Sequence, residues 1–314
     1  MTWSSLPEPL RYAILGVGSI LVAASLLVAL LTLLKPAKDF SELKLRVRTW
    51  WIMSAVFLGA LAFNRTGILC FFAFLSFLAL KEFLSMIPTR RADRRVLFWA
   101  YLAIPVQYLW IGMDWYGMFL VFIPVYMFLF LAMRTVLIQE TEGFLKAVGT
   151  LHWGLMVSVY ALSHGAWLAL LKPTNGAHGG GLGLLLMLVF LTQFNDVSQY
   201  IWGRTLGRTP ALPKVSPKKT MEGLLGGVAT TVTLSVLLAP RFTLLTKSES
   251  LMAGLIIGFG GFIGDVVISA VKRDLHLKDS GELLPGHGGI LDRVDSLFFT
   301  TPLFFHFVKY LDRF

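Results

Sequence analysis

The sequence is poor in charge. Lys, Arg, Asp and Glu make up 15% of its 314 residues, against roughly 25% in an ordinary globular chain. Acids are scarcer still: 18 Asp and Glu face 28 Lys and Arg, leaving a net charge of +10. Cysteine is almost missing. A single Cys70 excludes an intrachain disulfide, and with it a secreted disulfide scaffold. The low hydrophobicity that disorder requires is also absent, because 56% of the residues are apolar and the mean hydropathy is +0.70. A soluble domain of this length would have to hide more apolar surface than its core can hold. What remains is an all-α, polytopic integral membrane protein.

A helix needs about 20 mostly apolar residues to cross a hydrocarbon core of ~30 Å. Runs of that kind lie near 12–34, 49–63, 67–87, 97–112, 116–133, 148–171, 182–202, 222–240, 250–271 and 297–312. This predicts about 9–10 transmembrane helices, with 49–63, 97–112 and 297–312 the shortest. Runs such as Leu26–Leu34 and Leu182–Leu191 are apolar all round, which excludes the alternation of a β-barrel. The first run is too long for a cleavable signal, and no Lys or Arg precedes Arg11, so it reads as a span. Of the 28 bases, 20 fall in the alternate connections 35–48, 88–95, 134–147, 203–221 and 272–296. By the positive-inside rule these face the cytoplasm. With ten spans, both termini face outward. We divide the chain into an N-terminal multispanning region, 1–180, and a C-terminal catalytic membrane region, 181–314, with cytoplasmic loops 203–221 and 272–296.

Ionisable groups inside a membrane are costly, so they are usually paired or functional. Three places stand out: Lys81 with Glu82, Asn195 with Asp196, and Asp265. Each lies about six residues from the cytoplasmic end of its run, about 9 Å deep at 1.5 Å per residue. That common depth predicts a shared polar cavity open to the cytoplasm. The plainer reading is three separate interhelical pairings.

Asp265 is followed one turn later by Ser269 and Lys272-Arg273. A polar loop then carries Lys278-Asp279, Pro285-Gly-His287-Gly-Gly and Asp292-Arg293-Val-Asp295. Asp292 and Asp295 are spaced i, i+3 and share one helix face. With Asp265 they offer three hard oxygen ligands. That suits Mg²⁺, which takes few carboxylates and leaves positions for water and substrate phosphates; the acids could also hold a second cation. Lys272, Arg273, Lys278 and Arg293 add positive charge beside them. Acids for a metal and bases for phosphate are the equipment of phosphoryl or nucleotidyl transfer. A second basic stretch runs from Arg204 through Ser216-Pro-Lys218-Lys219-Thr220 into a helix. Ser216 and Thr220 can cap that helix, and its free amides favour an anion.

The run from Ser269 to Asp295 resembles the signature of the phosphatidate cytidylyltransferase family. That pattern is a Ser, a Lys-Arg, a Lys-Asp, a His-Gly-Gly and an Asp-Arg-x-Asp. Each part stands in spacing here as Ser269, Lys272-Arg273, Lys278-Asp279, His287-Gly288-Gly289 and Asp292-Arg293-x-Asp295. Ser216-Pro217-Lys218-Lys219-Thr220 with Glu222-Gly223, and Gly203-Arg204 ahead of it, resemble the family's upstream motif. Asp196 and Tyr200 keep the outline of a further family region, although the residues between them differ, which marks a divergent subgroup. The resemblance covers roughly 190–300.

The resemblance implies a nucleotidyltransferase that converts CTP and phosphatidate to CDP-diacylglycerol and diphosphate in phospholipid biosynthesis. It implies a Mg²⁺ cofactor and an active site facing the cytoplasm. Asp265, Asp292 and Asp295 would be the catalytic and metal-binding acids. Asp196, Arg204, Ser216, Lys218, Lys219, Thr220, Lys272, Arg273, Lys278, His287 and Arg293 would bind substrate. Partners would be CTP, the lipid substrate and the membrane, with no nucleic acid. Family members are often dimeric, so a homodimer is the assembly the resemblance allows. Alternatives are a cytidylyltransferase or CTP-dependent kinase for another lipid, and an ion-coupled transporter. A transporter has no need of a long polar loop of metal-type acids.

Overall fold

The structure, a computed structural model, describes residues 3–87, 94–173, 180–277, 279–281, 283–286 and 288–311. Every apolar run becomes a helix. They are α1 (Glu8–Leu34), α2 (Ser41–Ala62), α3 (Arg65–Met86), α4 (Arg94–Gly112), α5 (Tyr116–Val136), α6 (Phe144–Leu170), α7 (Gly181–Leu206), α8 (Met221–Phe242), α9 (Lys247–Asp274), the single turn α10 (Leu291–Val294) and α11 (Leu297–Tyr310). The protein is thus all-α, polytopic and integral to the membrane. Among the described residues, eight of these helices are long and apolar enough to span a bilayer. The other two long helices are α4 and α11. The first opens on Arg94-Arg95 and contains Pro105. The second has only 14 residues, but Asp295 and Ser296 keep helical dihedrals, so α10 and α11 run on almost as one helix. The short run 49–63 gains polar residues at its start and becomes a helix of 22.

Local chemistry sets several starts. Asn64 caps α3 by accepting from the Gly67 amide at 3.2 Å, and Thr246 with Glu249 forms a capping box on α9. Two π-turns interrupt α5 at Phe122–Met127 and α6 at Met156–Ala161. Pro124 lies in the first, where its missing amide opens the ladder.

Apolar residues line both the core and the lipid face, because lipid tails are as apolar as leucine. Leu26, Leu30, Leu33 and Leu34 of α1 are exposed, whereas Phe83, Phe119, Phe304 and Phe305 are buried. Polar groups tie the helices together. Asn195 of α7 accepts from Thr231 of α8 at 3.0 Å and donates to the Gly258 carbonyl of α9 at 3.1 Å. Ser76 and Tyr108 join α3 to α4 at 2.8 Å, and Thr301 of α11 donates to the Ala161 carbonyl of α6 at 2.9 Å. Such bonds contribute about 0.6 kcal/mol each in membranes, so they fix register more than they add stability.

One element was not foreseen. The connection between α7 and α8 forms an antiparallel hairpin, β1 (Pro210–Leu212) and β2 (Ser216–Thr220), with Leu212 opposite Ser216. Thr220 does cap α8, accepting from the Gly223 amide at 3.1 Å. Ser216 does not, because it begins β2 a full strand away from the helix start.

Candidate functional site

The site is assembled by three segments: the end of α9, the loop from Asp279 to Ile290 with α10, and strand β2. On α9, Asp265 is held from two sides. Lys219 of β2 places its Nζ 2.6 Å from Oδ2, and Ser269, one turn on, donates to Oδ1 at 3.2 Å. The Lys219 ammonium also lies 4.7 Å from the centre of the Phe262 ring, which favours a cation there.

Asp292 has its own lysine. Lys272 Nζ donates to Oδ1 at 2.6 Å, and both side chains are largely buried, at 14% and 7% exposure. The other oxygen, Oδ2, accepts from the Ser280 amide at 2.9 Å, the Ser280 hydroxyl at 2.8 Å and the Gly289 amide at 3.2 Å. Burial by itself would raise the Asp292 carboxyl. The hydrogen bond and charge of Lys272, with the Ser280 donors, outweigh it and hold the group below the usual carboxylate range.

Asp295 is different. It is 8% exposed, and its described hydrogen bond is from the next amide, Ser296, at 2.7 Å. Burial, then the negative charges of Asp265 and Asp196, push its carboxyl well above the ordinary value. The Ser296 hydroxyl links the region to α7, donating to Asp196 at 3.1 Å. This close approach needs glycine: a Cβ at Gly264 would lie 2.5 Å from the Asp295 carbonyl oxygen.

The i, i+3 acids therefore share a turn but serve different networks. Asp295 feels the charges of Asp265 and Asp196, while Asp292 bonds to Lys272 and Ser280. Among the described residues, no three acids, histidines or cysteines converge closely enough to close a metal site by themselves. The donor chemistry still fits a hard divalent cation. Asp265 and Asp295 stand on segments that Gly264 lets approach closely, and the Lys219 ammonium already lies against Asp265. Mg²⁺ is commonly bound by one or two carboxylates with substrate phosphates, and that mode needs no closed cage.

The other expected site residues distribute as follows. Arg273 is exposed and reaches the hairpin, with Nε 3.4 Å from the Val215 carbonyl. Lys218 is exposed on β2. Arg204 is exposed and bonds to the Tyr200 hydroxyl at 3.1 Å on the same helix. Arg293 is half-buried, and its Nε lacks a partner among the described residues. Lys278 and His287 lie outside the described residues. A cavity of about 650 Å³ opens on the loop, lined by Asp279, Gly281, Leu284, Pro285, Gly286 and Gly288.

Two contributors come from the N-terminal half: Glu82, expected from sequence only as one acid of a shared polar cavity, and Thr49, which was not expected. Glu82 of α3 accepts from the Ile290 and Leu291 amides at 2.8 and 3.1 Å and from the Ser280 hydroxyl. Thr49 of α2 donates to the Pro285 carbonyl at 2.9 Å. A glutamate inside an apolar run was the available signal for the first. Nothing local marks the second, a threonine two turns into a long helix.

The described signature residues thus stand at the end of α9 and in the loop that follows, and the same residues carry the family likeness. The cytidylyltransferase family pattern matches residues 44–311.

The chain belongs to the cytidylyltransferase family.

It is 47% identical over 292 residues to the uncharacterized protein YnbB of Escherichia coli (strain K12), covering 93% of this chain and 96% of that one. It is 31% identical over 263 residues to a phosphatidate cytidylyltransferase of Staphylococcus haemolyticus, covering 83% and 97%. Over a shorter stretch of 121 residues it is 46% identical to a phosphatidate cytidylyltransferase of Synechocystis sp., covering 37% and 40%. The cytidylyltransferase match begins within α2, so it takes in Thr49 and Glu82 as well as the C-terminal signature.

Proposed function

We propose that this chain transfers the cytidylyl group of CTP to phosphatidate, giving CDP-diacylglycerol and diphosphate. The observation that carries the reading is the pair of lysine–carboxylate contacts that α9 makes, Lys219 with Asp265 and Lys272 with Asp292, in a member of the cytidylyltransferase family. Each lysine neutralises an acid. A nucleotide triphosphate brings anionic oxygens for the lysines.

In the reaction, a phosphate oxygen of the lipid attacks the α-phosphorus of CTP. A new P–O bond forms, the bond to the β-phosphate oxygen breaks, and diphosphate departs with that electron pair. A phosphate monoester is already largely ionised at neutral pH (second pKa about 6), so no strong base is required. Lys219 and Lys272 would hold the triphosphate, with Lys218, Arg273 and Arg293 around it. Lys278 and His287 belong to the same loop and would bind or orient substrate. Thr220 orders the start of α8 behind Lys219, Ser216 anchors β2, and Arg204 and Asp196 flank the site on α7. Asp265 and Asp295 would hold Mg²⁺, with Asp292 joining them on releasing Lys272 to phosphate. Bound there, the ion would screen the two anionic substrates and stabilise the leaving diphosphate.

The loop's cavity falls within the 300–1,000 Å³ range usual for small-molecule sites. We place the site on the cytoplasmic side, since 203–221 and 272–296 carry nine of the 20 bases on that predicted face. The test is purified full-length protein with labelled CTP, phosphatidate and Mg²⁺, reading CDP-lipid and diphosphate together. Equimolar appearance of both supports the reaction. Release of CDP with a phosphorylated lipid would assign a kinase instead, and nucleotide-independent flux in vesicles would assign a transporter.

A further inference from the structure

Glu82 poses a problem that its helix does not explain. It is 9% exposed on α3, and among the described residues no Lys or Arg lies within ion-pair distance. A buried acid without a cation is expensive, and a packed apolar residue would usually serve stability better. All its described side-chain partners belong to the signature loop and the start of α10: the Ser280 hydroxyl and the Ile290 and Leu291 amides. Those two amides stand at the start of α10, where helix donors have no internal acceptors. Whatever accepts from them decides where the turn begins and which way Asp292 and Asp295 point.

Ser280 extends the connection. Its amide and hydroxyl both donate to Asp292 Oδ2, so the same serine touches Glu82 and the acid paired with Lys272. The loop's glycines are shaped around these two carboxylates. A Cβ at Gly289 would fall 1.7 Å from Glu82 Oε1. Gly288 has φ +77°, and a Cβ there would lie 3.0 Å from Asp292 Oδ2. Gly289 leaves room for the Glu82 carboxylate, and Gly288 supplies the left-handed backbone beside Asp292.

We propose that Glu82 is a positioning residue for cytidylyl transfer, holding the loop from Ser280 to Leu291 in the form that presents Asp292 and Asp295. The proposal rests on the reaction given above. It assigns a role in that reaction to the N-terminal half of the chain.

The test uses full-length protein carrying Glu82→Gln or Glu82→Leu. Hydrogen exchange is followed in the segment containing Ile290 and Leu291, beside steady-state kinetics. Supporting the role of a partner behind the reacting groups, kcat falls roughly 10- to 100-fold while KM for phosphatidate stays near the parental value. Exchange at 290–291 accelerates in the same variants, and the loss is smaller in Glu82→Gln, which keeps an acceptor. Unchanged exchange overturns the proposal, and so does faster exchange with parental kcat. Where the Glu82 variants fail to fold, Ser280→Ala breaks the connection from the other side, and parental kcat in that variant overturns it equally. A parental protein that forms no CDP-lipid refutes the reaction itself. Parental synthesis with undiminished Glu82→Gln turnover refutes the role of Glu82 alone.

Discussion

Replacing Asp292 by asparagine removes one charge and leaves the shape. Lys272 and Asp292 are only 14% and 7% exposed and lie 2.6 Å apart, so this is a buried pair. Removing one partner from such a pair typically costs about 3–5 kcal/mol, because the remaining charge is left uncompensated. Asparagine keeps one oxygen, which can still accept from Ser280 and Gly289, so the loss should sit near 3 kcal/mol on that scale. Equilibrium unfolding in detergent reads it, and CDP-lipid formation should fall below detection in the same preparation. Replacing both members, as Lys272→Met with Asp292→Leu, should restore most of the stability and none of the turnover. The pH dependence follows from the depressed Asp292 carboxyl. Its folded pKa is below the unfolded value of about 3.9, so its contribution is full above that value. It is lost as pH falls through the folded pKa. Asp292→Asn should therefore flatten the acid limb of the stability curve. Parental turnover in Asp292→Asn, or a double variant no more stable than the single one, would refute the reasoning.

Asp295 predicts the opposite sign. Its carboxyl is raised by burial and by Asp265 and Asp196, so the charged form opposes folding more as pH rises through that range. Asp295→Asn should unfold at a higher temperature at neutral pH, yet lose turnover by at least about 100-fold, the scale of losing one transition-state charge contact. Gly264→Ala adds a methyl 2.5 Å from the Asp295 carbonyl oxygen. Overpacking of this kind costs about 1–3 kcal/mol, and displacing α9 from α10 should remove turnover; parental activity in this variant would show that the approach of the two segments is not needed.

Much of the site was legible because its chemistry is local. The Ser269–Asp295 run carries its acids and bases at fixed spacing, and Lys272 closes on Asp292 across the loop. The Thr220 cap was visible for the same reason, as a short polar side chain next to an apolar helix. The hairpin was not, since Ser-Pro-Lys-Lys-Thr has no alternating apolar face to announce a strand. Nor did spacing reveal that Asp292 and Asp295 turn to different partners. An i, i+3 relation places two side chains on one helix face, but α10 is a single turn, and its surroundings decide each direction.

The sequence by itself determined the solvent and the class of fold. Long apolar runs must close their backbone hydrogen bonds internally in lipid, and only helices do so within one segment. It also determined the inventory of acids and bases near the C-terminal end. Only the tertiary structure decided which acid meets which lysine. It brought Glu82 and Thr49 from distant helices against the loop, and it put Asp265 beside Asp295 through Gly264. Those contacts join residues far apart in the chain, and their energies depend on burial and on the neighbours that packing supplies.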